Sequence, residues 1–218
     1  GDYNLDTSVN YLDLSDLVNN WKIPNLEYEL GPFIGNAPHF ISDPDSKFDI
    51  EDGMAFMKMW SWYQETYGEI VNEAQQVGLP LQIFFYEDTL IIVIEESISA
   101  GQFQFKYANL EEPPLTFENK KSNEGSLFLD SHSSKKGFSI MEFARENIDL
   151  KTDTIKILYD KKNKINLFYE LASSEKTTIQ RGSLEFDPTL LPDKLFLSPA
   201  FPNPFNPVTT LRFDIPET

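Results

Sequence analysis

The chain has 218 residues, with 35 acidic against 18 basic side chains, a formal charge of −17 and no cysteine. That length suits one or two domains with enough apolar residues for a real core. The charge excludes nucleic acid, which needs clustered Lys and Arg, and the lack of cysteine excludes disulfides, thiolate zinc sites and cysteine nucleophiles.

The first element is an oxygen-rich loop. In "GDYNLDTSVNYLDL" the residues Asp2, Asn4, Asp6, Asn10 and Asp13 stand at positions one, three, five, nine and twelve. Carboxylates this close repel one another unless a compensating charge is held among them, and the spacing is near that of an EF-hand-type calcium loop. A helix is predicted from Tyr11 to Trp21, with Leu14, Leu17, Val18 and Trp21 on one face. The pattern then recurs at a constant offset. Asn4 and Asp6 fall on Asp43 and Asp45, Asn10 on Asp49, Asp13 on Asp52, Leu17 on Phe56 and Trp21 on Trp60. The second helix is predicted from Ile50 to Tyr63, with Met54, Phe56, Met57 and Trp60 inward. Two such short helices are expected to pack on each other.

Two positions depart from the calcium pattern. Position six, glycine where the loop turns sharply, is Thr7 in the first copy and Ser46 in the second. Position one of the second copy is Ile41, so a water or an oxygen from Glu29 or Ser42 has to complete that site. The alternative reading is that these acids are solvated N-caps, with Asp13 and Asp52 favouring helix starts. His39, in the linker between the copies, reads as a packed residue.

A helical connector is predicted around "YQETYGEIVNEAQQVGLP", after which eight apolar runs follow. They are "LQIFFYE", "TLIIVIEE", "GQFQFKYA", "GSLFLDS", "GFSIMEFA", "IKILYD", "INLFYELAS" and "TTIQRGSLEFD". "LIIVIEES", within the second, is far short of the ~18 apolar residues of a membrane span. Phe103, Phe105 and Tyr107 alternate with Gln102, Gln104 and Lys106, and turn-forming clusters separate the runs. Such spacing predicts an antiparallel sandwich or jelly roll. "DSHSS" places Asp130, His132 and Ser133 together but reads as a polar turn, because triads assemble from separate elements. No phosphate loop or nucleophile elbow occurs, and acidic pairs such as Glu95–Glu96 and Glu111–Glu112 look like solvated surface. The expectation is no enzyme. In the tail, "SPAFPNPFNP" forbids helix and "VTTLRFDI" alternates as a strand.

Three stretches resemble known families. The duplicated D-x-N-x-D-x-x-V-N-x-x-D block with its short helix is similar to a type I dockerin-like module. That resemblance implies a calcium ligand set of Asp2, Asn4, Asp6, the Ser8 carbonyl, Asn10 and Asp13, then Asp43, Asp45, the Lys47 carbonyl, Asp49 and Asp52. "ISAGQFQFKYANLE" and the strands after it resemble a cohesin-like sandwich, which implies a protein-binding or scaffold module. "PNPFNPVTTLRF" resembles the start of the C-terminal sorting domain of type IX secretion substrates, which implies an exported bacterial cell-surface protein.

The fold class expected is mainly β with a small α module: a pair of calcium loop–helix units, then an antiparallel sandwich. The expected segments are a dockerin-like module at 1–65, a connector at 66–80, a cohesin-like sandwich at 81–188, and a Pro-rich linker with a truncated sorting domain at 189–218. The chain has neither an initiator Met nor a signal-peptide pattern, so a mature product or a piece of a longer protein is expected. The function expected is calcium-stabilised, non-catalytic assembly or attachment. Its partner is a protein or a second copy, met through the dockerin-like module, the sandwich or the C-terminal strand. The alternative is a carbohydrate-binding module of a secreted polysaccharide-degrading system. All three tryptophans lie in the front module, leaving Tyr107, Tyr159 and Tyr169 as the sandwich's stacking platforms.

Overall fold

Period-two alternation in the middle of the chain folds as expected, and its two faces meet two different partners. The computed structural model describes residues 1–23, 25–36, 38–69, 71, 74–86, 88–107, 115–118, 125–133, 135–148, 150–159 and 164–186, with the backbone of 196–197 and 213–214. Its elements begin with helix α1 (Tyr11–Asn20), strands β1 (Phe33–Ile34) and β2 (Ile41–Ser42), and helix α2 (Ile50–Tyr67). The sandwich strands follow: β3 (Ile83–Tyr86), β4 (Thr89–Ile94), β5 (Ala100–Lys106), β6 (Leu115–Phe117), β7 (Ser126–Ser133), β8 (Phe138–Arg145), β9 (Asp153–Tyr159), β10 (Ile165–Ala172) and β11 (Thr178–Phe186).

Two antiparallel sheets form, in the orders β11-β10-β5-β8-β7 and β3-β4-β9-β6. Phe103 and Phe105 of β5 face inward with Met141, Phe143, Leu167 and Tyr169. Leu90, Ile92, Ile94, Ile155 and Ile157 of the smaller sheet meet them. The outer face of the larger sheet carries a row of small residues, Ala172, Ala100 and Ala144, in cross-strand register. Small side chains let a helix backbone approach closely, and α1 lies over β8 and β5 there. Leu14, Leu17 and Val18 of α1 and Phe56 and Trp60 of α2 close a second core with Ile140, Phe138 and Leu129. The molecule is therefore layered as helices, sheet, sheet.

The helices thus differ from the expectation. Each turns its apolar face chiefly to the sheet, α2 lying against β7. They meet one another where the Trp21 ring covers Gly53 and touches Phe48 at 5.5 Å. Met54 and Met57, expected inward, are 51% and 47% exposed. Helix α1 stops at Asn20, one residue short of its predicted end; the Trp21 N–H closes the last turn on the Val18 carbonyl, and the amides of Asn19 and Asn20 fold back onto the carbonyls of Ser15 and Asp16. Helix α2 outruns its predicted end to reach Tyr67. Lys136 Nζ, from the β7–β8 turn, donates to the Glu65 and Gly68 carbonyls and satisfies its C-terminus.

Other corrections are local. Among its described residues the connector is not helical beyond Tyr67; Val77 instead pairs with Arg181 along the edge of β11, a device that covers an open edge. β6 was not predicted. The "DSHSS" segment lies largely in β7 rather than in a turn. His39 is exposed rather than packed. In the tail, Phe196–Leu197 pairs antiparallel with Phe213–Asp214, while the rest of the sorting-domain block lies outside the described residues, as do Glu111 and Glu112. No helix among the described residues is long and apolar enough to cross a membrane.

Candidate functional site

In loop one, the twelfth-position carboxylate is the centre. Asp13 is fully buried. Its Oδ1 accepts the N–H groups of Tyr3 at 2.7 Å and Asn4 at 3.3 Å, and its Oδ2 accepts that of Asn10 at 3.0 Å. Asn10 in turn caps the helix by accepting from Leu12 N–H, completing a capping box. Asp2, at position one, accepts from the N–H groups of Asp6 and Thr7 at 3.1 and 2.9 Å. Asp6 accepts from Ser8 N–H at 2.8 Å and from the Asn4 amide at 2.9 Å. Thr7, where glycine was expected, takes φ +74°, so the sharp turn is made by a residue that resists it.

Loop two repeats this arrangement from a divided sequence. Asp52 is buried, and its Oδ2 accepts Asp49 N–H at 2.7 Å. Its Oδ1 accepts the N–H groups of Leu30 and Gly31 at 2.7 and 2.9 Å. Those two residues do for Asp52 what Tyr3 and Asn4 do for Asp13. Glu29 then falls where Asp2 stands, and its Oε1 accepts Ser46 N–H at 2.6 Å, as Asp2 accepts that of Thr7. Ser46 takes φ +64°. Asp45 accepts from Lys47 N–H at 3.0 Å, matching Asp6 and Ser8, and Asp49 caps Glu51 N–H at 2.9 Å. Ile41 is displaced altogether. It pairs with Ile34 in the β1–β2 hairpin, which interrupts the loop between Gly31 and Asp43. Gly31 is required there, because a Cβ would lie 2.7 Å from the Glu51 carbonyl oxygen at the start of α2. Of the two oxygens considered for position one, Glu29 holds the place, while Ser42 donates to the Leu30 carbonyl.

The two loops face each other through Tyr3. Its ring lies 5.0 Å from Tyr28 and 5.9 Å from Phe56, and its hydroxyl donates to the Tyr28 carbonyl at 2.9 Å.

Electrostatics separate the loops. Burial pushes the Asp13 carboxyl above the usual aspartate range, although three N–H groups pull the other way. In loop two, the Lys47 ammonium is paired with Asp45 and holds that exposed carboxyl below its ordinary value. Among the described residues, no group of three or more His, Asp or Glu side chains stands in a metal-holding arrangement. The acids of each loop chiefly address backbone N–H groups. The donor set itself is hard oxygen, of the kind calcium takes, and the left-handed residue at position six of both loops fits such a turn.

A second polar centre went unpredicted. Glu142, on the outer face of β8, is fully buried and accepts from Trp60 Nε1 at 2.8 Å and Gln64 Nε2 at 3.0 Å. Burial holds its carboxyl well above the ordinary glutamate range. The signal was present as the one charged residue in the run "FSIMEFA". The stacking platforms expected on the sandwich are not available, since Tyr107, Tyr159 and Tyr169 are all buried. On β7, Asp130 and His132 share one face and Ser133 turns to the other, as strand alternation requires. His132 Nδ1 lies against the Tyr107 hydroxyl and 3.3 Å from Ser139 Oγ.

No protein-family profile matches the chain, and no curated protein matches it. Three solved structures are similar in outline. The second type II cohesin module of the cellulosomal adaptor ScaA scaffoldin of Acetivibrio cellulolyticus shares 12% identity, covers 43% of this chain and 80% of its own, and gives a TM-score of 0.29. An N-terminal interface mutant of a type II cohesin–X–dockerin complex from the same organism shares 11%, covers 48% and 91%, and gives 0.32. A cohesin module of a Clostridium perfringens family 33 glycoside hydrolase shares 13%, covers 52% and 97%, and gives 0.32.

Proposed function

We propose that the chain is a non-catalytic assembly or attachment module of an exported bacterial surface protein, stabilised by calcium in its N-terminal loops. One observation carries the calcium reading: two loops of different sequence, one continuous and one divided, converge on the same placement of donors, buried twelfth carboxylate, left-handed sixth residue and position-one acid. Loop one would offer Asp2, Asn4, Asp6, the Ser8 carbonyl, Asn10 and Asp13. Loop two would offer Glu29 with Asp43, Asp45, the Lys47 carbonyl, Asp49 and Asp52. A cation there would relieve the mutual repulsion of the acids and the cost of burying Asp13. The Lys47 ammonium competes for Asp45, so loop two is the weaker site.

The assembly reading is supported by the way the loop–helix unit seats itself on the outer face of a sheet. Lys176 pairs with Asp16, and Asn147 N–H donates to Asn19 at 2.8 Å, so the unit is pinned at its rim as well as at Glu142. A helical module and a sheet face that fit within one chain supply the surfaces by which neighbouring copies or domains would join. Export is the expectation carried by the tail.

Calorimetric titration of calcium into the intact chain tests this, with melting curves in calcium and in chelator. Binding is expected, with a thermal shift equivalent to about 2.7 kcal/mol at a hundredfold excess over Kd. The variants Asp6→Ala, at an exposed residue, and Glu29→Gln, at a half-buried one, should lose it from loops one and two respectively. Absence of heat and of any shift refutes the calcium reading and leaves both loops as capped turns.

A further inference from the structure

A groove of about 700 Å³ runs between the C-terminal half of α2 and the outer face of the five-stranded sheet, a size within the roughly 300–1,000 Å³ of small-ligand sites. One wall is aromatic. Trp62 and Tyr63 stand on α2 with Tyr67 5.5 Å from each ring, and Tyr67 is 55% exposed. The floor mixes amide and apolar groups: the alternation of β5 that sends Phe103 and Phe105 into the sandwich turns Gln102 and Gln104 the other way, with Ile140 and Phe168 in register on either side of Gln104. Asn10 of loop one closes the far end. The floor is fixed in advance: Gln104 Oε1 accepts Val71 N–H at 2.7 Å and its Nε2 donates to the Glu69 carbonyl at 2.6 Å. That pair ties the chain after α2 to the sheet.

We propose that this groove binds an uncharged oligosaccharide. A pyranose ring is amphipathic in the same sense as the groove. Its C–H faces suit the electron-rich faces of aromatic rings, and its hydroxyls each donate and accept, as does the half-buried Gln102 carboxamide opposite; Gln104, buried and bonded to the Glu69 and Val71 backbone, shapes the floor. The ligand is uncharged because, among the described residues, no Lys or Arg lines the groove and the ionisable lining residues are Glu69 and the buried Glu142, beside tyrosines; an anionic glycan would meet acids without a counter-cation. The sequence placed the tryptophans in one module and the strands in another. The docking of α2 sets Trp62 in the same groove as Gln102 and Gln104 and makes a site that neither part has alone.

The test is affinity electrophoresis of the intact chain through gels containing mixed-linkage β-glucan, xyloglucan, galactomannan or polygalacturonate. Dissociation constants would follow by calorimetry with a hexaose of the retarding backbone. Retardation in at least one neutral gel is expected, with affinity falling at least about tenfold in Trp62→Ala and in Gln102→Ala. Tyr67→Ala, a truncation at an exposed ring, gives the same readout should Trp62→Ala not fold, and melting temperatures identify that case. No retardation in any neutral glycan overturns the proposal. So does retardation by polygalacturonate alone, or retardation in a neutral gel that survives the Gln102 and Tyr67 substitutions.

Discussion

Asp13 and Asp6 lie in the same loop yet should fail differently when removed. Asp13 is buried and receives three backbone N–H groups, at 2.7, 3.0 and 3.3 Å. Hydrogen bonds to a charged acceptor contribute about 1.5–3 kcal/mol each, and donors left buried without a partner carry a similar penalty. The 3.3 Å contact is weak and some donors will regain water, so Asp13→Ala should cost about 3–5 kcal/mol, the capping box included. Asp6 is exposed and holds a Ser8 N–H and a neighbouring amide, and its truncation should cost less than about 1 kcal/mol in chelator. Urea unfolding followed by tryptophan fluorescence, in calcium and in chelator, separates the two. Asp13→Ala is expected to lose stability under both conditions, and Asp6→Ala only the increment that calcium supplies. A loss below about 1 kcal/mol for Asp13→Ala in chelator would refute the clamp and the energetics assigned to it.

Three further outcomes follow from the packing. Glu142 titrates well above the 4.5 of an ordinary glutamate in the folded chain, so its contribution is complete below that value and is lost as pH rises toward the raised one; unfolding free energy should therefore fall less from pH 5 to pH 8 in Glu142→Gln than in the parent, and equal slopes would count against it. Ala144→Leu inserts bulk beneath α1 and should cost about 1–3 kcal/mol, with faster amide hydrogen exchange in α1 before the sandwich; uniform exchange would mean that α1 is not seated on the alanine row. Gly31→Ala drives a Cβ toward the Glu51 carbonyl and should cost at least about 1–3 kcal/mol, seen as a lowered midpoint in urea.

The strands were legible because each has one face in the inter-sheet core, and alternation reports that directly. β6 was not, since three residues beside two prolines give no period to read. The helix starts were legible from Asn10–Asp13 and Asp49–Asp52, whose spacing is that of a capping box. What the helices meet was not. A 3.6-residue period tells which side is apolar but not whether the neighbour is a helix or a sheet, and the matching surface is the alanine row, which carries no hydrophobic emphasis. The same gap misplaced Met54 and Met57 and hid Glu142, whose partners Trp60 and Gln64 lie far away in sequence. Glu29 was within reach as a candidate oxygen, but the division of loop two could not be seen, because a two-residue strand pair leaves almost no pattern.

The hairpin that divides loop two has a use of its own. Its base is fastened by Asp43 N–H on the Pro32 carbonyl at 2.8 Å, and beyond that base Ile34 and Ile41 are exposed. Once that base is fastened, the chain between Leu30 and Asp52 is scarcely longer for closing the loop than the stretch from Tyr3 to Asp13. Whatever lies beyond the fastening then adds little to the closure entropy, which grows only with the logarithm of length. The tip is therefore a permissive graft position, where an epitope, a fluorophore tag or a foreign binding peptide could be carried on the surface without disturbing the loop beneath it.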